Sequence, residues 1–296
     1  MPLRPVPELF AAARAGGYAL GYFESWNLES LQGIIDAAEQ TRSPLIIGFN
    51  GEFLTGPQRL AAERIAWYGA LGRAAAESAS VPCGLLFNEC PHDQAVWQAA
   101  QSGFNLVMLV DPEASYENYA RRVADLVEFA HRQGVAVEAE IDELPVGSTG
   151  ELDSTHSSLT DPDLAARFVA ATQVDILSVS VGNIHILLDG EQALDLDRLA
   201  EIHRRVGIPL GLHGGSGIPA DSLRQAISMG VVKVAYGTYV KQRYLAAVRK
   251  ALGSTEVNPH LLLGMGGVED VLVAGRLAVR DAILERIEFL GCCGRA

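Results

Sequence analysis

The sequence of 296 residues predicts an α/β fold, a closed (β/α)8 (TIM) barrel, on two observations. Eight short apolar, β-branched or aromatic runs are spread along the chain, and amphipathic segments with helix start and stop signals separate them. Continuous apolar runs mark strands covered on both faces, and strands alternating with helices build a parallel sheet that eight units close. An open, doubly wound sheet is the alternative. No Gly-rich dinucleotide fingerprint follows the first run, which counts against it.

The elements follow in order. Run 19–23 leads to Leu28, Leu31, Ile34, Ile35 and Ala38 at helical spacing behind Asn27, a good N-cap. Run 44–49 precedes a helical segment expected over 60–78, behind Pro57 near its first turn. Runs 83–87 and 106–110 come next, and a stripe of Tyr119, Val123, Leu126, Val127 and Ala130 stops at Gly134. Between runs 135–141 and 174–181 lies an irregular stretch rich in Gly, Ser, Thr and Asp. Leu196, Leu199, Ile202 and Val206 form a helix face closed by Gly207, before run 209–212. Leu223, Ala226 and Ile227 then lead through Gly230 to run 231–236. No linker, charge block or low-complexity tract divides the chain. Residues 1–296 are therefore expected to form one barrel domain with a mobile loop at about 143–160, since a long irregular loop in a compact domain usually serves function.

Composition excludes several classes of function. A chain that is 49% hydrophobic and 20% charged can bury a large core and is not disordered. The 36 acidic residues outnumber 23 basic ones, for a net charge of -13, so a phosphate backbone is repelled and no nucleic-acid partner is expected. The longest uncharged apolar stretch, 176–188, falls well short of the roughly 20 residues of a membrane span. The first twenty residues carry Arg4, Glu8 and Arg14 and no apolar leader core. Cys83, Cys90, Cys292 and Cys293 follow no disulfide pattern and are expected as small buried hydrophobes. Cytoplasm is the expected compartment.

In such a barrel the active site sits at the C-terminal strand ends. The polar residues there are Glu24, Asn50, Asn88, Glu89, Asp111, Glu138, Glu140, Asn183, His185, His213 and Tyr236. His131 and His203 fall in helices near arginines, and His156 in the irregular stretch. His213 opens His213-Gly214-Gly215-Ser216-Gly217 directly after run 209–212. The glycines let backbone N–H groups turn toward an anion and Ser216 adds a hydroxyl, although a tight strand-to-helix turn would need similar residues. His185, after Gly182-Asn183-Ile184, is either a structural histidine or the second ligand of a metal shared with His213.

Over nearly its whole length the sequence resembles the class II, metal-dependent aldolases that cleave fructose or tagatose bisphosphates. The resemblance rests on Val137-Glu138-Ala139-Glu140, Leu159-Thr160-Asp161-Pro162, Val174-Asp175, Leu212-His213-Gly214-Gly215-Ser216-Gly217 and Gly230-Val231-Val232-Lys233-Val234. It continues into the tail, Glu285-Arg286-Ile287-Glu288-Phe289-Leu290-Gly291 and Gly294-Arg295-Ala296. It implies the barrel and a divalent metal, normally zinc, held by three histidines. That metal polarises a ketone so that an enediolate can form. His185 and His213 match two ligand positions, and Glu140 matches a carboxylate near the metal. Gly182, Gly214, Gly215, Ser216, Tyr236 and Thr238 fall on the substrate and phosphate site. The irregular stretch matches a mobile loop with an acidic proton-transfer residue, for which Glu151 is the nearest candidate.

The departures are informative. After Val81-Pro82 the family reads His-x-Asp-His-Gly, with the Asp as proton donor and the second His as first metal ligand. Here the chain reads Leu86-Phe87-Asn88-Glu89-Cys90. An amide cannot serve as a general acid or base, so the usual role of that position is lost at Asn88. Glu89 remains a competent ligand. Alternation along a strand sends neighbours to opposite sides, so with Glu89 on the metal Asn88 is expected to lie off it. The Asp after strand four is Val110, a lysine after the second His ligand is Asp189, the Asn of the strand-eight phosphate motif is Ala235, and Glu24 stands where Asn is usual.

The expected activity is an aldolase-type carbon–carbon lyase on a ketose or ketose phosphate, different from standard fructose-bisphosphate cleavage. A metal held by Glu89, His185 and His213 stabilises the enediolate; zinc is expected, with manganese or iron as competitors. Glu24, Glu140 or Glu151 supplies the proton transfer that Asn88 cannot. The alternative is an inactive family member serving as a partner subunit or sugar-phosphate binder, with a nucleotide-dependent oxidoreductase further off. Small-molecule substrate and a homo-oligomer, dimer or tetramer, are the expected partners, with no membrane.

Overall fold

A computed structural model of the chain describes residues 2–141, 159–184 and 190–296, together with the backbone at 146–147 and 186–187. Eight parallel strands close on themselves: β1 (Leu20–Ser25), β2 (Leu45–Asn50), β3 (Cys83–Cys90), β4 (Leu106–Leu109), β5 (Ala136–Glu140), β6 (Ile176–Ser178), β7 (Leu210–Leu212) and β8 (Val231–Tyr236). Each lies within a residue or three of its apolar run. β1 returns to β8 with Leu20 opposite Lys233 and Phe23 opposite Tyr236. Every strand residue except Glu140 is buried. That is why the runs carry so little polar alternation. Outside the barrel, the backbone of Val146–Gly147 pairs in parallel with Ile186–Leu187.

Helix α1 (Val6–Gly16) buries Val6, Leu9, Phe10 and Ala13 across the N-terminal end of the barrel, where Arg4 N–H bonds Cys83 O. α2 (Leu28–Thr41) starts in a capping box, Asn27 accepting from Ser30 N and Ser30 Oγ from Asn27 N. α3 (Gly51–Thr55) is capped by Asn50. α4 (Ile65–Ser78) begins later than the expected 60. Leu60 is fully exposed and Arg59 instead bonds Phe53 O, so the segment after Pro57 turns in solvent with nothing apolar to pack on.

The ring continues with α5 (Asp93–Gln101), α6 (Tyr116–His131), α7 (Pro162–Thr172), α8 (Leu196–Val206, stopped by Gly207 at φ 70°), α9 (Ala220–Ser228) and α10 (Thr238–Ala251). A short α11 (Pro259–Leu262) leads to α12 (Val271–Ile287), which packs along α2 and α10. Arg276 of α12 makes a two-pronged pair with Asp36 of α2 at 2.6 and 2.8 Å. Among the described residues no helix is long and apolar enough to cross a membrane. Cys83, Cys90 and Cys292 are buried as expected, whereas Cys293 is exposed one position past the packed tail. Most of the expected loop at 143–160 lies outside the described residues, as does Glu151.

Candidate active site

The barrel interior carries a polar stack beneath its C-terminal mouth. Period-two alternation turns Tyr22 and Glu24 of β1, Glu138 and Glu140 of β5, and Lys233 and Ala235 of β8 inward. Lys233 Nζ donates to Glu138 Oε1 at 2.7 Å, and neither side chain is exposed to solvent at all. Ser178 Oγ donates to the same oxygen at 2.6 Å. Tyr22 lies with its ring 5.1 Å from Lys233 Nζ. Although burial alone would raise the Glu138 carboxyl, the charges of Lys233 and His213 hold it well below the usual range, at about 2.

His213 stands directly above. Its Nε2 lies 3.1 Å from Glu138 Oε1, and its Nδ1 lies 2.6 Å from Glu89 Oε1 and 3.5 Å from Glu140 Oε2. Asn50 donates Nδ2 to Glu89 Oε2 at 2.6 Å. Glu89 adopts φ 48°, a left-handed conformation rare outside glycine, and the β3–β4 register shifts between Phe87 and Cys90. The expected alternation fails for this reason. Asn88 and Glu89 both line the same cavity instead of facing apart.

That cavity, of about 280 Å³, opens at the strand ends. Glu24, Gly214, Ser216, Thr238 and Lys241 also line it. Lys241 Nζ donates to Glu24 Oε1 at 2.5 Å. Asn88 Oδ1 and Tyr22 Oη are buried and have no hydrogen-bond partner among the described residues. Gly214 takes φ 69°, and a Cβ on Gly215 would meet Val234 Cγ1 at 2.6 Å, so the turn after β7 packs tightly on β8. Gly182 takes φ 97° and lies outside the cavity lining. Its neighbour Asn183, buried, donates Nδ2 to His213 O and accepts from Val181 N–H.

The side chain of Tyr236 does not reach the cavity. Alternation from Lys233 and Ala235 turns it outward, where it stacks on Phe23 with centroids 5.3 Å apart. The His185 and Asp189 side chains lie outside the described residues. Tyr22, Lys233 and Lys241 were not among the expected site residues. A lone lysine inside the buried run 231–236, and the two-residue step from Glu24 to Tyr22, are the sequence signals that would have found the first two.

Among the described residues no three His, Cys, Asp or Glu side chains already stand as a cage for a metal ion. The chemistry of the donor set nevertheless fits one. With Nε2–H directed at Glu138, a neutral His213 turns the lone pair of Nδ1 toward two carboxylates, an arrangement that needs a positive charge between them. Burial and Lys233 push the His213 pKa down, but Glu89, Glu140 and the bond to Glu138 outweigh them and raise it to about 10. The carboxylates that raise it are the ones that would attract a cation, and the carboxylate behind the far ring nitrogen is the usual support of a metal-bound histidine.

Fold and site together define a barrel enzyme whose C-terminal mouth gathers carboxylates around the buried His213. The chain belongs to the class-II fructose-bisphosphate aldolase family, whose model it matches over residues 4–295. It is 30% identical over 316 aligned positions to fructose-bisphosphate aldolase of Thermus caldophilus, covering 98% of each chain. It is 31% identical to the protein YdjI of Escherichia coli over 94% of each. The crystal structure of the YdjI aldolase superposes with a TM-score of 0.82, at 29% identity, covering 99% of both chains. Membership in this family supports an aldolase-type lyase.

Proposed function

We propose that the chain is a metal-dependent aldolase that cleaves a ketose or ketose phosphate other than the standard fructose bisphosphate. The observation that carries this reading is His213, held by Glu138 on one ring nitrogen and faced by Glu89 and Glu140 on the other. A divalent cation held by Glu89, His213 and His185 would withdraw charge from the substrate's ketone carbonyl. Zinc suits the imidazoles, and the carboxylate strengthens the claim of manganese or iron.

The chain's own groups divide the remaining work. Glu138 fixes the ring orientation of His213, and Asn50 aims Glu89 by holding its second oxygen. Asn88 Oδ1 can accept a hydrogen bond from a substrate hydroxyl but moves no proton. Cleavage removes the proton from the hydroxyl β to the carbonyl, leaving an aldehyde, and a proton returns to the carbon that loses its bond. Glu24, paired with Lys241, Glu140, beside His213, and Glu151 of the expected loop are the candidates for these transfers. The phosphate-side positions Gly182, Gly214, Gly215, Ser216 and Thr238 are the proposed substrate contacts, Tyr236 through its backbone alone. A cytoplasmic homo-oligomer, dimer or tetramer, is the proposed setting.

Elemental analysis of protein supplemented with zinc, manganese and iron, together with turnover on a ketose panel, tests the reading. About one equivalent of one divalent metal per chain is expected, lost in Glu89→Gln with the fold intact. Less than a tenth of an equivalent, with no ketose cleaved, overturns it. The amide at Asn88 would then favour the second reading, an inactive family member that binds a sugar phosphate or a partner subunit.

A further inference from the structure

The charge around the cavity is arranged against a phosphate at one end. α10 brings its N-terminus, Gly237 and Thr238, to the cavity, and Lys241 stands one turn further on. An amide end and a lysine are what an incoming anion requires. The chain already supplies that anion. Glu24, only 7% exposed, places Oε1 2.5 Å from Lys241 Nζ, and a Cβ on Gly237 would come within 2.5 Å of Glu24 Oε2. Glycine at 237 is thus what lets the carboxylate lie against the helix end.

No other lysine or arginine lines this cavity among the described residues. The residues outside them, 142–145, 148–158, 185 and 188–189, contain aspartates and glutamates but no lysine or arginine. A second observation points to the ligand. Asn88 Oδ1 and Tyr22 Oη, 3% and 2% exposed by residue, are buried without partners among the described residues, and both side chains line the same cavity. An amide oxygen only accepts, so it calls for an O–H on the ligand.

We infer that Glu24 is a specificity-determining residue, and that the substrate end held at α10 is an unphosphorylated, hydroxyl-bearing carbon chain. The inference rests on the ketose-cleavage reading only for the ketone. Glu24 and Lys241 act on the hydroxyls as a joined acceptor and donor, and Asn88 accepts from another.

Inorganic phosphate titrated calorimetrically onto the full chain is the test, because it needs no turnover. Wild type should bind it more weakly than about 1 mM, and Glu24→Gln should bind at least tenfold more tightly, about 1.4 kcal/mol. Adding Lys241→Met to Glu24→Gln should abolish the gain, which separates this site from any other phosphate contact. Circular dichroism checks the fold, and Glu24→Asn replaces Glu24→Gln if the latter does not fold. A wild type that binds phosphate below about 1 mM, or a folded Glu24 variant with no gain, overturns the inference. A chain that cleaves no ketose would refute the aldolase reading and leave the phosphate result standing.

Discussion

Replacing Lys233 by methionine tests the internal ion network on which the site stands. The change keeps length and apolar stem but removes the ammonium 2.7 Å from Glu138 Oε1, where both side chains are fully buried. Breaking a buried pair on one side costs about 3–5 kcal/mol, because the remaining charge has lost its partner. Glu138 keeps two other donors, Ser178 at 2.6 Å and His213 at 3.1 Å, which moves the expectation down to about 2–4 kcal/mol. Urea denaturation followed by circular dichroism reads this directly, and Lys233→Met with Glu138→Gln should recover part of the loss. The pH dependence carries a sign. Glu138 has a folded pKa of about 2 against an ordinary 4.5, so its contribution is complete above pH 4.5 and lost as pH falls toward 2. Without Lys233 the folded pKa rises. The deficit of the variant should therefore be largest above about pH 4.5 and shrink below it. A loss under about 1 kcal/mol at pH 7, or one that grows on acidification, would mean that Lys233 is not what keeps Glu138 ionised.

Three further outcomes are expected. Fructose 1,6-bisphosphate should be cleaved poorly, since an acid–base group typically contributes 10²–10⁴-fold and its family position is the amide Asn88; a coupled assay giving about 10 s⁻¹, the ordinary enzyme range, would contradict this. Asn50→Ala removes the donor to Glu89 Oε2 and the cap on Phe53 N, and should weaken metal affinity about 10–100-fold with a stability loss of about 1 kcal/mol, measured by competition with a chelator and by urea. Gly48→Ala would push a methyl into the backbone oxygen of Leu86 across the β2–β3 pair. Some 1–3 kcal/mol of destabilisation is expected, read as a lowered urea midpoint.

The barrel was legible because its signals are local and agree with one another. Asn27 with Ser30, Gly207 and Gly230 punctuate helices by side-chain chemistry or by left-handed φ, and strands buried on both faces leave uninterrupted apolar runs. Where no such signal existed, the reading slipped: Pro57 looked like a helix start, but the apolar face that anchors α4 begins only at Ile65. The sequence singled out His213, Glu89 and Glu140, where motif and strand end coincide, and the fold brings these three side chains together. The site was not legible at Asn88 and Glu89 as a pair. Alternation assumes extended backbone, and nothing about a glutamate announces φ 48°. Lys241 was equally hidden, since its link to Glu24 spans 217 positions and depends on how α10 lies over β1.

Two substitutions that look separate act on one balance of charge. Glu89, Glu138 and Glu140 bring three carboxylates to within 3.5 Å of His213, and Lys233 answers with one ammonium. With a neutral imidazole the cluster is left with two negative charges, which a proton on His213 halves and a divalent cation cancels. A histidine at position 89 would lower that demand by one. The glutamate thus strengthens the demand for a dication at the barrel mouth, while Lys241, which lines the cavity, is committed to Glu24. The same acidic bias that favours a metal also disfavours a phosphate beside it. On the proposed reading, metal use and an uncharged substrate end would both follow from one electrostatic arrangement, and reversing Glu24 alone should loosen the second without disturbing the first.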